Sequence, residues 1–100
     1  MDRIEALGLI ETFGLVFVLQ AADAMCKAGD VELIGYENVA SGYISVLVRG
    51  DVSACSTAVD AGVKAVNKMG ADVYSSVVIA NPHPDLEKIV ARYSLDALLA

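Results

Sequence analysis

Residues 14–27 predict a helix that is apolar almost all round, and this feature constrains the fold most. Its strongly polar side chains are only Gln20, Asp23 and Lys27, which repeat at i, i+3 and i+7 and form one narrow stripe. A helix with so little polar surface is normally covered on most sides. A chain of 100 residues has a small core, so part of the cover is expected from neighbouring copies. Burial deep in its own core stays the alternative.

The rest of the chain alternates between strand and helix patterns. Strands are predicted at residues 5–12, 31–37, 43–49 and 72–80. Gly29 is predicted to end the first helix, where it can take the left-handed conformation that a helix C-terminus often needs. A second helix is capped by Asp51 and stopped by Gly70. Its apolar face consists of Val52, Cys55, Val59, Gly62, Val66 and Met69. The order β-α-β-β-α-β predicts an α+β, ferredoxin-like split βαβ fold with a short C-terminal helix.

Composition supports self-association and excludes two classes of partner. Hydrophobic residues make up 56% of the chain and charged residues only 20%, which is more apolar surface than one small core can hide. The longest uncharged stretch, residues 73–84, is twelve residues long, whereas a membrane-spanning helix needs about 20. A net charge of −6 without a basic cluster argues against nucleic acid.

The N-terminus and the cysteines indicate a protein that is not exported. The first five residues, MDRIE, lack the basic and apolar regions of a secretory signal. Cys26 and Cys55 form no CxxC or Cys/His cluster, so both are expected to be reduced and buried.

No motif for catalysis, cofactor binding or metal binding is visible. Phosphate-loop, dinucleotide and nucleophile-elbow patterns are missing from the sequence. The single histidine, His83, lies between two prolines without a predicted partner, which favours a structural role near the start of the last helix. The chain is therefore not expected to be an enzyme or to carry a cofactor.

The loop between the second and third strands allows two interpretations. Its tip, Ala40-Ser41-Gly42, is small and polar between two apolar strands, which is typical of a plain hairpin turn. Gly42 is expected at positive φ. If subunits closed around a six-fold axis, however, six copies of this tip would meet, and small side chains would keep the centre open.

Five short segments give the chain a resemblance to a known family. They are ALGLIET (6–12), AADAM (21–25), VRGDV (48–52), DAG (60–62) and PH (82–83), in this order. Together they resemble the single-domain, hexamer-forming shell proteins of bacterial microcompartments, the family of the propanediol, ethanolamine and carboxysome shells. The resemblance covers residues 5–90 of one domain, 1–100, with a short C-terminal segment 91–100.

The resemblance implies a structural protein of the bacterial cytoplasm. Flat homo-hexamers would tile with other shell proteins around encapsulated enzymes or their targeting peptides, and small polar metabolites would cross a central pore. By position, Ala40, Ser41 and Gly42 would line that pore, with Ser41 at the narrowest ring and Asn38 where some relatives have a lysine. Neighbouring Glu37 would disfavour anions.

By the same resemblance, the edge between hexamers would include Lys27, Asn81 and His83. Asn81 stands where many relatives have an arginine, so a charge and several donors are lost there. Two other functions remain open from the residues alone: a ferredoxin-like regulator that senses a small molecule, and a small enzyme working at a subunit interface.

Overall fold

The computed structural model of the protein describes residues 5–38 and 40–94. Four antiparallel strands form one sheet in the order β2-β3-β1-β4. The strands are β1 (Ala6–Phe13), β2 (Glu32–Asn38), β3 (Tyr43–Gly50) and β4 (Ser75–Ile79). Two main helices follow β1 and β3, α1 (Leu15–Ala28) and α2 (Val52–Lys68). The predicted ferredoxin-like α+β fold is confirmed.

Both main helices pack on one face of the sheet. The side chains that meet there from the sheet and the helices are fully buried and include Ile10, Met25, Val48 and Val66. Gly62 of α2 brings the layers together, since a Cβ atom there would lie 2.5 Å from Ile10 Cδ1 and 2.8 Å from Met25 Cγ. Contacts this short leave no room for a side chain.

The predicted α2 is confirmed in its cap and in most of its buried face. The Asp51 carboxylate accepts a hydrogen bond from the backbone N–H of Ala54 at 2.8 Å. Four of the six residues predicted for the apolar face are buried: Cys55, Val59, Gly62 and Val66. Val52 and Met69 are exposed instead, because they lie at the two ends of the helix, beyond the layer that it covers.

The second face of the sheet is partly covered by the C-terminal segment. This segment consists of a 3₁₀ turn (Pro84–Leu86), the short α3 (Glu87–Val90) and another 3₁₀ turn (Ala91–Tyr93). Glu87 forms an ion pair with Arg49 of β3, and Ser94 forms an isolated antiparallel bridge with Gly35. Leu7 and Leu47, which share this face, are buried. Elsewhere on this face, Phe13 and Val77 are exposed, so the described residues leave part of it open.

The first half of α1 leaves apolar side chains uncovered. Leu15, Val16 and Leu19 are 55%, 65% and 59% exposed, although α1 packs against α2 and the sheet with its other side. The prediction that α1 has more apolar surface than its own core can cover is confirmed. Among residues 5–38 and 40–94, no helix is long and apolar enough to cross a membrane.

Two local predictions are wrong. Gly29 is extended (φ −123°, ψ 156°) rather than left-handed, and glycine is needed there because a Cβ atom would lie 2.6 Å from the Ala54 carbonyl oxygen. Cys26 is exposed rather than buried, because it lies on the outward side of α1. Cys55 is buried as expected, and its thiol faces the carbonyl oxygen of Ala6 at 3.5 Å.

Gly29→Ala should lower the free energy of unfolding by about 1–3 kcal/mol, because the backbone of α2 has to move away from the new methyl group. The measurement is the urea midpoint at a fixed protein concentration. Gly70→Asn is the matched control, since Gly70 ends the other helix at φ +83° in open space and asparagine tolerates that region. A loss no larger than in the control would contradict the close contact at Gly29.

Candidate functional site

In the loop between β2 and β3, Ser41 and Gly42 have a left-handed backbone. Asn38 is the last residue of β2, Ala40–Gly42 forms a 3₁₀ turn, and Tyr43 starts β3. Gly42 has φ 86°, as predicted, and Ser41 has φ 72°, the one positive φ of a non-glycine residue in the part of the chain that the structure describes. For serine this conformation costs about 1 kcal/mol. The turn therefore holds Ser41 in a specific backbone shape.

The turn is tied to the junction between β1 and α1. The carbonyl oxygen of Gly42 accepts a hydrogen bond from the Gly14 N–H at 2.8 Å. The buried Thr12 hydroxyl donates to the Gly14 carbonyl at 3.0 Å and supports the same junction. The Phe13 ring lies close under the turn, since a Cβ atom on Gly42 would be 3.1 Å from Phe13 Cε2. Ser41 and Asn38 are held on this support and are exposed.

The residues predicted for an outer edge are exposed as well. The Lys27 ammonium lies 2.9 Å from the Asp23 carboxylate in the preceding turn of α1. His83 caps the 3₁₀ turn Pro84–Leu86, which opens the C-terminal segment, and its Nδ1 accepts a hydrogen bond from the Asp85 N–H at 3.1 Å, so its predicted structural role is confirmed. Asn81 precedes the buried Pro82, which anchors this stretch to the domain.

The two groups of candidate residues lie at opposite ends of the sheet. The register pairs Phe13 with Tyr43 at one end, which we call the loop end. It pairs Ala6 with Gly50 and Leu7 with Ile79 at the other, where α1 also ends and β4 leads into residues 81–83. The eight residues of β1 place about 24 Å between the two ends. Asn38 and residues 40–42 thus belong to one surface, and Lys27, Asn81 and His83 lie at the opposite end.

Sequence reasoning missed two rows of side chains on the open part of the second sheet face. Nearest the loop, the Phe13 and Tyr43 rings meet edge to face with centroids 5.3 Å apart, and the Tyr43 and Tyr74 centroids are 4.6 Å apart. The next row crosses all four strands in the order Ser75, Glu11, Ser45, Glu37. Alternation along one strand decides which of its own residues share a face, but only the register between strands brings these rows together.

Neither cysteine has the environment of a nucleophile. Burial raises the pKa of the Cys55 thiol, and the nearby Asp51 carboxylate raises it further. Partial burial and, secondarily, the charge of Asp23 raise the pKa of the Cys26 thiol. A raised pKa lowers the fraction of reactive thiolate at neutral pH. Within residues 5–38 and 40–94, no three His, Cys, Asp or Glu side chains are grouped to hold a metal ion.

Comparison with known proteins assigns the domain to a family. Residues 6–82 match the family model described as BMC domain, a range that contains all four strands and both main helices. The shell protein PduA of Salmonella typhimurium is 49% identical over 88 residues, which are 88% of this chain and 93% of that protein. The chain belongs to the BMC-domain family of bacterial microcompartment shell proteins.

Further relatives include a carboxysome shell protein and a second microcompartment shell protein. The carboxysome shell protein CcmK2 of Synechocystis is 48% identical over 91 residues, covering 89% of this chain and 88% of its own. The shell protein EutM of Escherichia coli is 48% identical over 86 residues, covering 86% of this chain and 88% of its own. The BMC domain is therefore shared almost over its full length, and the family predicted from the five short segments is confirmed.

A solved structure shows the same fold in a longer chain. A microcompartment protein from Desulfitobacterium hafniense superposes with a TM-score of 0.76 at 34% identity and covers 88% of this chain. This chain spans only 49% of that protein's length. One BMC domain here thus corresponds to about half of that chain.

Gly42→Ala should lower the free energy of unfolding by about 1–2 kcal/mol, because alanine is strained at φ 86° and its methyl group would press on the Phe13 ring. Ser41→Ala is the control, since position 41 is exposed and already non-glycine; its effect should stay below about 0.5 kcal/mol. Urea midpoints of both variants at equal protein concentration are the measurement. Equal midpoints would refute the strained turn.

Proposed function

We propose that this BMC-domain protein is a structural tile that closes into a flat cyclic hexamer and passes small polar metabolites through its central opening. Six loops with Asn38, Ala40, Ser41 and Gly42 surround the axis, and Ser41 forms the narrowest ring. Lys27, Asn81 and His83 contact the neighbouring hexamer. The whole chain, 1–100, forms one shell domain, although residues 1–4, 39 and 95–100 lie outside the described part of the structure.

The observation that carries this proposal is the separation of the two surfaces. A tile needs one part at its centre and another at its rim, on opposite sides of each subunit. About 24 Å of sheet lies between the loop and the end that holds Lys27 and residues 81–83, so the two cannot form one active site within a chain. An enzyme working within one subunit would require the opposite arrangement, with its polar groups converging in one cleft.

The uncovered side of α1 supports the ring. Fully burying one large apolar side chain stabilises by about 1.5–3 kcal/mol, so covering the three half-exposed residues Leu15, Val16 and Leu19 contributes roughly 2–4 kcal/mol at each contact. These residues lie in the first half of α1, near the loop end, where subunits converge around an axis. Closing a ring repeats this contact at every boundary.

The opening would be polar and without positive charge. Ser41 offers a hydroxyl group that can replace part of a solute's hydration, which lowers the cost of removing water from a polar metabolite. Asn38 adds an amide but no charge. The tile thus serves as a non-enzymatic boundary in the bacterial cytoplasm, next to other shell proteins and to encapsulated enzymes or their targeting peptides.

Lys27→Asp should leave the hexamer intact and abolish sheets, because carboxylates would face each other across the edge between hexamers. We expect a hexamer mass for wild type and variant by light scattering at micromolar concentration, and extended sheets for wild type alone by negative-stain microscopy. A small closed oligomer without sheets in the wild type, combined with one saturable ligand site, would instead favour the regulator.

Lys64→Asp is the matched control for Lys27→Asp, since Lys64 is exposed on α2 and the change of charge is the same. It should still form sheets. Asn81→Arg should strengthen sheet formation if a missing arginine weakens the edge. Sheets of Lys27→Asp as extensive as those of wild type would show that Lys27 is not at the edge.

Ser41→Leu should leave hexamers and sheets intact and reduce the entry of a polar substrate, because six bulky side chains would fill the opening. The measurement is consumption by encapsulated enzyme, divided by the activity of the same enzyme after the shells are broken. Ser41→Ala separates size from chemistry: it keeps the opening wide but removes the hydroxyl ring. An unchanged ratio for Ser41→Leu in sealed shells would mean that this ring is not the route.

A further inference from the structure

The open part of the second sheet face combines three chemically different rows. The aromatic row contains Phe13, Tyr43 and Tyr74, and the polar row contains Ser75, Glu11, Ser45 and Glu37. The third row is apolar and includes Leu9 opposite Val77. Neighbouring rows on one face are about 7 Å apart. A small solute on the polar row can therefore touch the aromatic row as well.

The polar row is acidic and already organised. Ser75 donates a hydrogen bond to a carboxylate oxygen of Glu11 at 3.3 Å, which orients that carboxylate. Glu11 and Glu37 both lie opposite Ser45, one on each side, and are therefore about 10 Å apart. Since like charges at this distance repel, a cation between them is favoured. Neither row contains a lysine, arginine or histidine.

The aromatic row offers exposed ring surface to the same solute. Phe13 and Tyr74 are 62% and 65% exposed, although such side chains are usually buried. A cation within about 6 Å of an aromatic ring face is attracted by the ring quadrupole. Carboxylates beside exposed rings are the two groups that together recognise an organic ammonium ion.

A shallow cavity lies at the border between the polar row and the apolar row. It has a volume of about 220 Å³ and is lined by Leu9, Ile10, Glu11, Ser45, Ser75, Ser76 and Val77. Pockets for drug-sized ligands are larger, about 300–1,000 Å³, so this one suits only a small solute. Its lining is apolar at one side and carries the Glu11 carboxylate and serine hydroxyls at the other. This division matches a short alkyl group with a charged amine.

We infer that this cavity and the two rows bind small organic ammonium ions, with Glu11 as the ion-pair partner and Phe13 and Tyr74 as ring contacts. For its use the inference rests on the proposed function: Phe13 and Tyr43 of the aromatic row lie at the loop end and Glu11 lies one row behind them, so six such sites would surround one mouth of the opening, concentrate cationic solutes there and repel anions. The binding itself does not depend on assembly.

The test is an NMR titration of the native assembled protein with ethylammonium chloride at constant ionic strength. Ethanol serves as the neutral probe and acetate as the anionic one. We expect saturable shifts of the backbone amides of Tyr74, Ser75 and Ser45 with ethylammonium only. Glu11→Gln should weaken this binding about two- to fivefold, the range of an exposed ion pair. Phe13→Leu should do the same through loss of the ring contact.

Asp60→Asn is the matched control, because it removes the same charge from the exposed face of α2. It should leave ethylammonium binding unchanged. Equal shifts with ethanol and ethylammonium, or unchanged binding in both Glu11→Gln and Phe13→Leu, would overturn the inference. If hexamers and sheets still form, either result refutes only the binding site and leaves the proposed function standing. If the protein binds ethylammonium but never forms hexamers, only the proposed function is refuted.

Discussion

The close approach of α2 to both β1 and α1 at Gly62 is the contact on which the rest of the structure depends. Any side chain there would overlap the side chains of Ile10 and Met25, both of which are completely buried. The same approach is repeated at Gly29, which lies against the backbone of α2. With these glycines the helices lie close on one face of the sheet and share one core. This packing leaves the first half of α1 facing outward, with its apolar side chains uncovered.

The antiparallel register then holds the surface at the loop end and the surface at the opposite end of the sheet apart. Because β1 is central and pairs with both β3 and β4, the loop at Ala40–Gly42 and the stretch around His83 are held at opposite ends of a rigid sheet. Neither surface has a partner within the described residues that would cover it. An uncovered apolar helix side, a loop at one end and an exposed edge at the other are consistent with the proposed repeating tile.

Several local features could be predicted because they depend on few neighbours along the chain. Asp51 caps α2 since a carboxylate before a helix accepts its free N–H groups, and Gly42 takes positive φ since the turn requires it. Gly29 and Cys26 were predicted incorrectly because the local sequence does not show which residues pack against them in the folded protein. A glycine at a helix end is equally compatible with a left-handed cap and with a close tertiary approach, and an apolar helix does not show which of its sides faces outward.

The sequence by itself determined the order of elements, the family and the excess of apolar surface that indicates assembly, because these follow from periodicity, from residue motifs in order and from the small size of the core. Only the tertiary structure decided which side of α1 stays uncovered and which residues share a row across the sheet. Glu11, Ser45 and Glu37 are far apart along the chain and meet through strand pairing alone. A shift of one residue in that register would turn each of these side chains to the other face.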